Sequence, residues 1–477
     1  MNTTFTSLYF VGIGGIGMSA LARYFNAEGY RVGGYDRTPS PLTDDLVKEG
    51  IEIHYEDDIN SVPSYYKDPS TTLIVYTPAI PHEHGELSYF RQHEFRILKR
   101  AQLLGIVTQS KLGLCIAGTH GKTTTSSMVA HLLKQSHVDT NAFLGGILKP
   151  YNSNLMLSKS SDYVVIEADE FDRSFHTLTP HVAAITSCDP DHLDIYGTEE
   201  AYRESFAHFT SLIPSGGMLL MRQGIAVAPR LQKGVQCFSY GVVNTATEEC
   251  ELPEFYADNV RIGNGTIQFD FHLLPGVLEN YPSGLVMRDM EPGVPVPINI
   301  ENATVALAIA LYTGCIESEL RSALKTFGGA RRRFDFYIKK QDFVLLDDYA
   351  HHPDEIHAAL SSLRALYADR KVTVVFQPHL YSRTKDLAPG FSAALDIAHR
   401  TLLLPIYPAR ELPIPGVTSS LILERMTSEK KEVVSKEQLI DRLVELRSAG
   451  DLDVVVMMGA GDIERLVAPV AEVFATL

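Results

Sequence analysis

The run Gly118-Thr119-His120-Gly121-Lys122-Thr123-Thr124 carries the most direct chemistry in this chain. Its glycines let backbone N–H groups approach phosphate oxygens with no Cβ in the way. Lys122 is placed to reach terminal phosphates, and Thr123 offers a hydroxyl to Mg²⁺. An apolar stretch, 114–117, precedes the run, and a helical pattern with Met128, Val129, Leu132 and Leu133 on one face follows it. Strand, glycine loop and helix form the setting that phosphate binding needs, because the helix N-terminus adds partial positive charge. The pattern is the shorter G-x-x-G-K-T, since Ile116 stands where a longer loop would begin. A tight turn with an exposed lysine is the plainer alternative, and the agreement of all three elements speaks against it.

Acidic clusters follow two later apolar runs. Glu167-Ala168-Asp169-Glu170-Phe171-Asp172 follows 163–166, and Asp189-Pro190-Asp191-His192-Leu193-Asp194 follows 182–186. Carboxylates at the C-terminal ends of parallel strands suit Mg²⁺, which takes hard oxygen ligands and retains waters. Helix capping is the structural alternative for either cluster alone. A second glycine loop, Gly12-Ile13-Gly14-Gly15-Ile16-Gly17, follows the run 8–11, with Asp36 about 20 residues further on. By itself this is a dinucleotide fingerprint and raises a rival class, an NAD-dependent oxidoreductase. The presence of a separate phosphate loop makes nicotinamide chemistry redundant. Three stretches stand out near the C-terminus: Arg331-Arg332-Arg333-Phe334, Asp347-Asp348-Tyr349-Ala350-His351-His352-Pro353, and 376–384 with His379, Leu380 and Arg383. The arginine cluster suits a place where anions gather, or a solvated face.

Short apolar runs at 8–11, 73–76, 114–117, 163–166, 182–186, 343–346, 372–376, 401–404 and 454–457 alternate with helical patterns. Continuous apolar strands of this kind are buried on both faces, so the fold class is α/β with parallel sheets. The glycine loops divide the chain into 1–108, 109–326 and 327–477, with the stretch Phe327-Gly328-Gly329-Ala330-Arg331-Arg332-Arg333 as a hinge. The region 218–297, rich in Gly and Pro and alternating apolar with polar, reads as a small antiparallel excursion.

The 477 residues are 45% hydrophobic and 21% charged, a soluble globular profile, and the formal net charge is −16. That sign argues against nucleic acid or an anionic membrane as main partner. No apolar run reaches the roughly 18–20 residues of a membrane span, and the N-terminus lacks a basic region and a cleavage site. The five cysteines are scattered, with no CxxC pair, which fits a reducing cytoplasm.

The string 118–126, GTHGKTTTS, resembles the ATP loop of the Mur ligase superfamily, which includes folylpolyglutamate synthetase and joins a carboxylate to an amine through an acyl phosphate. The string 10–22, FVGIGGIGMSALA, resembles the members that add L-alanine to UDP-N-acetylmuramate. The resemblance implies a Rossmann-like N-terminal domain, a central P-loop-type ATPase domain and a Rossmann-like C-terminal closure domain. It implies ATP and Mg²⁺ as cofactors; the expected state of the chain is a monomer or weak homodimer. By the same resemblance Gly12, Gly14, Gly15, Ile16 and Gly17 hold the UDP diphosphate, with Asp36 and Thr77 beside them. Gly118, Thr119, His120, Gly121, Lys122, Thr123 and Thr124 hold ATP, with Asn299 and Asn302 near the adenine. Thr123, Glu170 and His192 ligate the metal. Arg332 or Arg333 approaches the γ-phosphate, and Tyr349, His351 and Arg383 bound the amino-acid site. The expected catalytic set is Lys122, His192, Arg332, Arg333 and His351. Leu380 replaces a second arginine and Ile298 a histidine common in the family. The runner-up is a family member that attaches a whole tripeptide during cell-wall recycling. A third class, a nucleotide-binding regulator without catalysis, has little need of the stretches 347–352 and 383.

Overall fold

The computed structural model describes residues 5–77, 79–81, 83–191, 193–243, 251–263, 265–409 and 411–476. The chain is an α/β protein built on three sheets, as the alternation of apolar runs and helical patterns predicts. The first sheet holds β1 (Ser7–Val11), β2 (Arg31–Tyr35), β3 (Glu52–His54), β4 (Thr72–Tyr76) and β5 (Arg96–Lys99) in the order β3-β2-β1-β4-β5. All its pairs are parallel. The second sheet holds β6 (Leu112–Ala117), β7 (Asn141–Leu148), β8 (Ser153–Met156), β9 (Tyr163–Glu167), β10 (Pro180–Ile185), β11 (Met218–Arg222), β12 (Gln236–Val242), β13 (Phe255–Gly263), β14 (Thr266–Leu273) and β15 (Leu285–Met290). Their order is β15-β14-β13-β12-β11-β10-β6-β9-β7-β8. The third holds β16 (Asp335–Lys339), β17 (Val344–Asp348), β18 (Val372–Phe376), β19 (Arg400–Leu403), β20 (Lys431–Val433) and β21 (Val454–Met458), ordered β16-β17-β21-β18-β19-β20.

The excursion from parallel order begins later than residue 218. β11 pairs parallel with β10, β12 with β11, and β13 with β12. The run Met218–Arg222 therefore continues the central sheet; β13 ends at Gly263 and its neighbour β14 begins at Thr266, a spacing that permits antiparallel pairing alone. On the other flank, β7 and β8 are antiparallel.

Strands at the sheet centres are buried on both faces. Leu114, Cys115, Ile116 and Ala117 of β6 are all fully buried. Each large apolar side chain so placed contributes about 1.5–3 kcal/mol. Helix starts carry local signals: Ser40 forms a capping box with Thr43 ahead of Pro41, and His352 forms one with Glu355 ahead of Pro353. Two compact units result. One comprises Met1–Asp258, Phe271–Met287 and Glu301–Leu324; the other comprises Asn259–Asp270, Arg288–Ile300 and Lys325–Leu477. The first sheet and strands β6 to β12 of the second thus share one unit, where Tyr24 packs edge-on against Phe143 with ring centroids 5.2 Å apart.

Candidate active site

Register explains why the phosphate loop is where it is. Ala117 ends β6 opposite Ile185 of β10, so Gly118 emerges beside Thr186. A Cβ on Gly118, whose φ is +142°, would lie 2.2 Å from the Thr186 hydroxyl oxygen. Only glycine fits there. Gly121 at φ +83° closes the turn into the helix Lys122–Lys134. The loop is held from below: the His120 amide donates to Ser187 Oγ at 2.7 Å, and Thr119 donates to the Asp189 carbonyl at 2.6 Å. Thr125 donates to the Asn302 carboxamide at 3.1 Å. Backbone amides are thereby fixed before any phosphate arrives.

The acidic shell meets this loop through β9, which pairs with β6 so that Glu167 lies opposite Ile116. Thr123 donates to Glu167 at 2.9 Å, and the Gly145 amide donates to the same carboxylate at 3.0 Å. Lys122 donates to Glu170 at 2.8 Å and to the Gly118 carbonyl. Glu170 is 2% exposed. Burial pushes its carboxyl above the ordinary value, and the Lys122 ammonium pulls it back only in part. The turn that follows is strained, since Asp172 and Arg173 both sit at left-handed φ, +51° and +54°. His192 lies outside the described residues. Among the described residues no three histidine, cysteine or acidic side chains converge on a metal position. Mg²⁺ does not require such a cage, because one or two carboxylates with phosphate oxygens and water suffice. Thr123, Glu167 and Glu170 supply hard oxygens of that kind.

The first glycine loop is assembled by the same device. Val11 of β1 lies level with Tyr35 and with Tyr76, so Gly12, Asp36 and Thr77 emerge side by side. The Gly14 amide donates to Asp36 at 2.7 Å. A Cβ on Gly12, at φ +88°, would meet Thr77 at 3.0 Å and Ile80 at 3.2 Å. Asp36 therefore braces the loop from its own side chain. Gly15 caps the helix Ile16–Ala27, and the Ile16 carbonyl accepts from Asn154 at 2.8 Å.

In the second compact unit, Asp348 of β17 and Phe376 of β18 are both level with Met458, which brings Tyr349, Gln377 and Gly459 to one sheet edge. Here the structure separates the two arginines that the sequence treats alike. Arg332 is committed: it donates to Asp347 at 3.1 Å, to Glu464 at 3.0 Å and to the Gly459 carbonyl. Arg333 is exposed. Asp347 is almost fully buried, and burial pushes its carboxyl up to about 6 against the pull of Arg332. Arg332 also lies 5.0 Å over the Tyr349 ring, which meets His351 edge-on at 5.1 Å. His379 is held below the ordinary histidine value by burial, then by Arg383 and His351. Leu380 adopts φ +68° just before the helix Tyr381–Leu395, whose first turn carries Arg383. Asn299 donates to the Val294 carbonyl at 3.1 Å.

Sequence reasoning named Glu167 and Asp347 only within longer stretches and gave neither a role of its own, and it passed over Thr186 and Ser187. Glu167 sits in the acidic run, but only the β6–β9 register singles it out from its neighbours. Thr186 and Ser187 carry no charge and gave no signal.

A lysine-bearing phosphate loop with an acidic shell on one parallel sheet, beside a second glycine loop on another, defines a nucleotide-using α/β enzyme. The chain belongs to the Mur ligase family. The model of the Mur ligase family, catalytic domain, matches residues 7–111, that of the Mur ligase middle domain 116–310, and that of the Mur ligase, glutamate ligase domain, 332–461. It is accordingly an ATP-dependent ligase, and the oxidoreductase reading falls. A UDP-N-acetylmuramate–L-alanine ligase from Parabacteroides distasonis is 57% identical over 98% of this chain and 97% of its own length. One from Porphyromonas gingivalis is 52% identical over 98% and 99%. Among solved structures, UDP-N-acetylmuramate–alanine ligase from Thermotoga maritima shares the fold with a TM-score of 0.74, at 24% identity over 98% of this chain and 99% of that one. A murein peptide ligase from Psychrobacter arcticus gives 0.59 at 22% identity over 98% of each chain. No helix among the described residues is long and apolar enough to cross a membrane.

Proposed function

We propose that this chain joins L-alanine to the lactyl carboxylate of UDP-N-acetylmuramate in peptidoglycan precursor synthesis in the cytoplasm, with ATP converted to ADP and phosphate. The observation that carries the chemistry is the meeting of the Lys122 loop with Glu167 and Glu170 at the ends of neighbouring strands. The choice of substrates is supported by the relatives at 52–57% identity over nearly the whole chain. A carboxylate does not acylate an amine at neutral pH, because oxide would have to leave. Phosphorylating it gives an acyl phosphate, from which phosphate leaves when the amine of alanine attacks.

Each residue then has a physical task. Lys122 neutralises charge on the transferring phosphoryl group. Mg²⁺, when bound, adds to that neutralisation. Thr123, Glu167 and Glu170 would hold it, with His192 as a further ligand by family resemblance. The loops at Gly12–Gly17 and Gly118–Thr124 take the two nucleotides through backbone amides. Asn299 and Asn302 face the adenine, and Arg333 takes the γ-phosphate. Arg383 grips the carboxylate of alanine through two parallel hydrogen bonds, with Tyr349 and His351 bounding the site. Loss of a second arginine to Leu380 concentrates that task on Arg383.

The test is product identity. With UDP-N-acetylmuramate, ATP and Mg²⁺, the nucleotide product should gain the mass of alanine when L-alanine is supplied. Consumption of the tripeptide with alanine inert would instead make this a recycling ligase.

A further inference from the structure

A cleft of about 490 Å³, its open mouth included, runs in the first compact unit from Gly17 of the first glycine loop to Glu167 and Asp169 of the acidic shell. Its walls come from the first sheet's helices (Gly17, Leu21, Arg100, Leu104) and from the central sheet (Phe143, Leu144, Gly145, Glu167, Asp169). The far wall is the acidic shell itself, since Glu167 accepts from Thr123 of the phosphate loop. Arg100 is the single cation among the described residues lining it.

Arg100 opens the helix Arg100–Ser110 directly after β5, at the ligand-binding edge of the first sheet. Its guanidinium lies over Gly17, where a Cβ would come 2.5 Å from Nη1, so the glycine makes room for it. Its ion pair with Asp169 is long, 3.9 Å, with the two side chains 36% and 42% exposed. Such a pair has little strength. A carboxylate presented squarely to the fork makes two shorter bonds and displaces Asp169. The neighbouring Lys99 is engaged elsewhere, 3.1 Å from Asp172.

The reaction brings two anions together, the carboxylate to be phosphorylated and the terminal phosphate. Their repulsion needs a cation on the carboxylate's side as well as Lys122 on the phosphate's. We propose that Arg100 binds the lactyl carboxylate of the sugar nucleotide and aims it at the phosphate loop. The apolar walls formed by Leu21, Leu104, Phe143 and Leu144 suit the lactyl methyl and the sugar face better than a second diphosphate. This assignment rests on the substrate reading given above.

Calorimetric binding of UDP-N-acetylmuramate and of UDP-N-acetylglucosamine tests it, because the second has the same diphosphate and lacks the lactyl carboxylate. Arg100→Ala should weaken UDP-N-acetylmuramate roughly 10- to 100-fold and UDP-N-acetylglucosamine by less than about threefold. Arg100→Lys keeps the charge and loses the fork, so it should lose several-fold for UDP-N-acetylmuramate alone; it carries the comparison should the alanine variant not fold. Equal losses for both nucleotides would assign Arg100 to the diphosphate and overturn the proposal. A wild-type preference for UDP-N-acetylmuramate that survives in both variants would overturn it too. A wild-type chain with no preference between the two would sink the substrate reading together with the proposal.

Discussion

Lys122 and Arg332 are both cations held by buried carboxylates, and the proposed function gives them opposite work. Lys122 sits on the phosphate loop, with Glu170 as partner and the Gly118 carbonyl beside it. Removing a preorganised donor of this kind costs on the order of 10²–10³ in rate. Lys122→Ala should lower kcat by that factor and leave the Kd for UDP-N-acetylmuramate unchanged; turnover within a few-fold of wild type would exclude the role. Arg332 is instead spent on Asp347, Glu464 and Gly459. Arg332→Ala leaves a buried carboxylate unpaired, which costs about 3–5 kcal/mol. Arg333→Ala should leave stability unaltered and lower kcat. Urea unfolding and kinetics on both variants check the split, and a stable, slow Arg332→Ala would reverse it. Asp347 adds a pH dependence. Its carboxyl is raised from 3.8 to about 6, so the folded state holds the proton more tightly than the unfolded one. That stabilisation is full below about pH 4 and is lost as pH rises through 6. Wild type should therefore lose stability relative to Asp347→Asn across this window, by at most about 1.4 kcal/mol per pH unit. Urea midpoints at pH 4, 5, 6 and 7 measure it, and a constant difference would contradict the assignment.

The strand–loop–helix elements show how far the sequence can be read. Strands buried on both faces announce themselves as apolar runs, and all nine runs fall in or on the edge of a strand of the structure. Both glycine loops were legible because the φ they need, +83° at Gly121 and +88° at Gly12, favours glycine over other residues. What sequence does not carry is lateral order. Asp36 and Thr77 reach the first loop only because β1, β2 and β4 end level. Glu167 reaches Thr123 only because β9 lies beside β6. The same blindness misplaced the start of the excursion: Met218–Arg222 is preceded by a Gly-rich turn yet joins the parallel sheet. Arg332 and Arg333 were indistinguishable for a related reason, since a fully buried Asp347 fifteen residues away selects one of them. The loop element makes its own prediction. Gly121→Ala forces a side chain into left-handed backbone, at about 1–2 kcal/mol, and brings a Cβ 3.1 Å from Asn302. Gly50, at φ +86° with open space around it, is the control. Both alanine variants should lose similar stability by thermal unfolding, and only Gly121→Ala should weaken ATP; equal ATP affinities would contradict the loop's role.

At the scale of the whole molecule, the proposed function asks a chain of net charge −16 to take two polyanionic nucleotides. Long-range attraction does not bring them in, so under that proposal affinity comes from local devices: backbone amides at two glycine loops, Lys122, and the arginines at 100, 333 and 383. Both loops stand at the C-terminal edges of parallel sheets, where a chain of this architecture collects its ligands. The central claim is that these devices serve one event, phosphorylation of a carboxylate ahead of amide formation. That event moves an oxygen atom. If the lactyl carboxylate of UDP-N-acetylmuramate is enriched in heavy oxygen and turned over with ATP and L-alanine, each phosphate released should carry one labelled oxygen from the carboxylate. Phosphate free of label, with the alanine-bearing product still formed, would contradict the account.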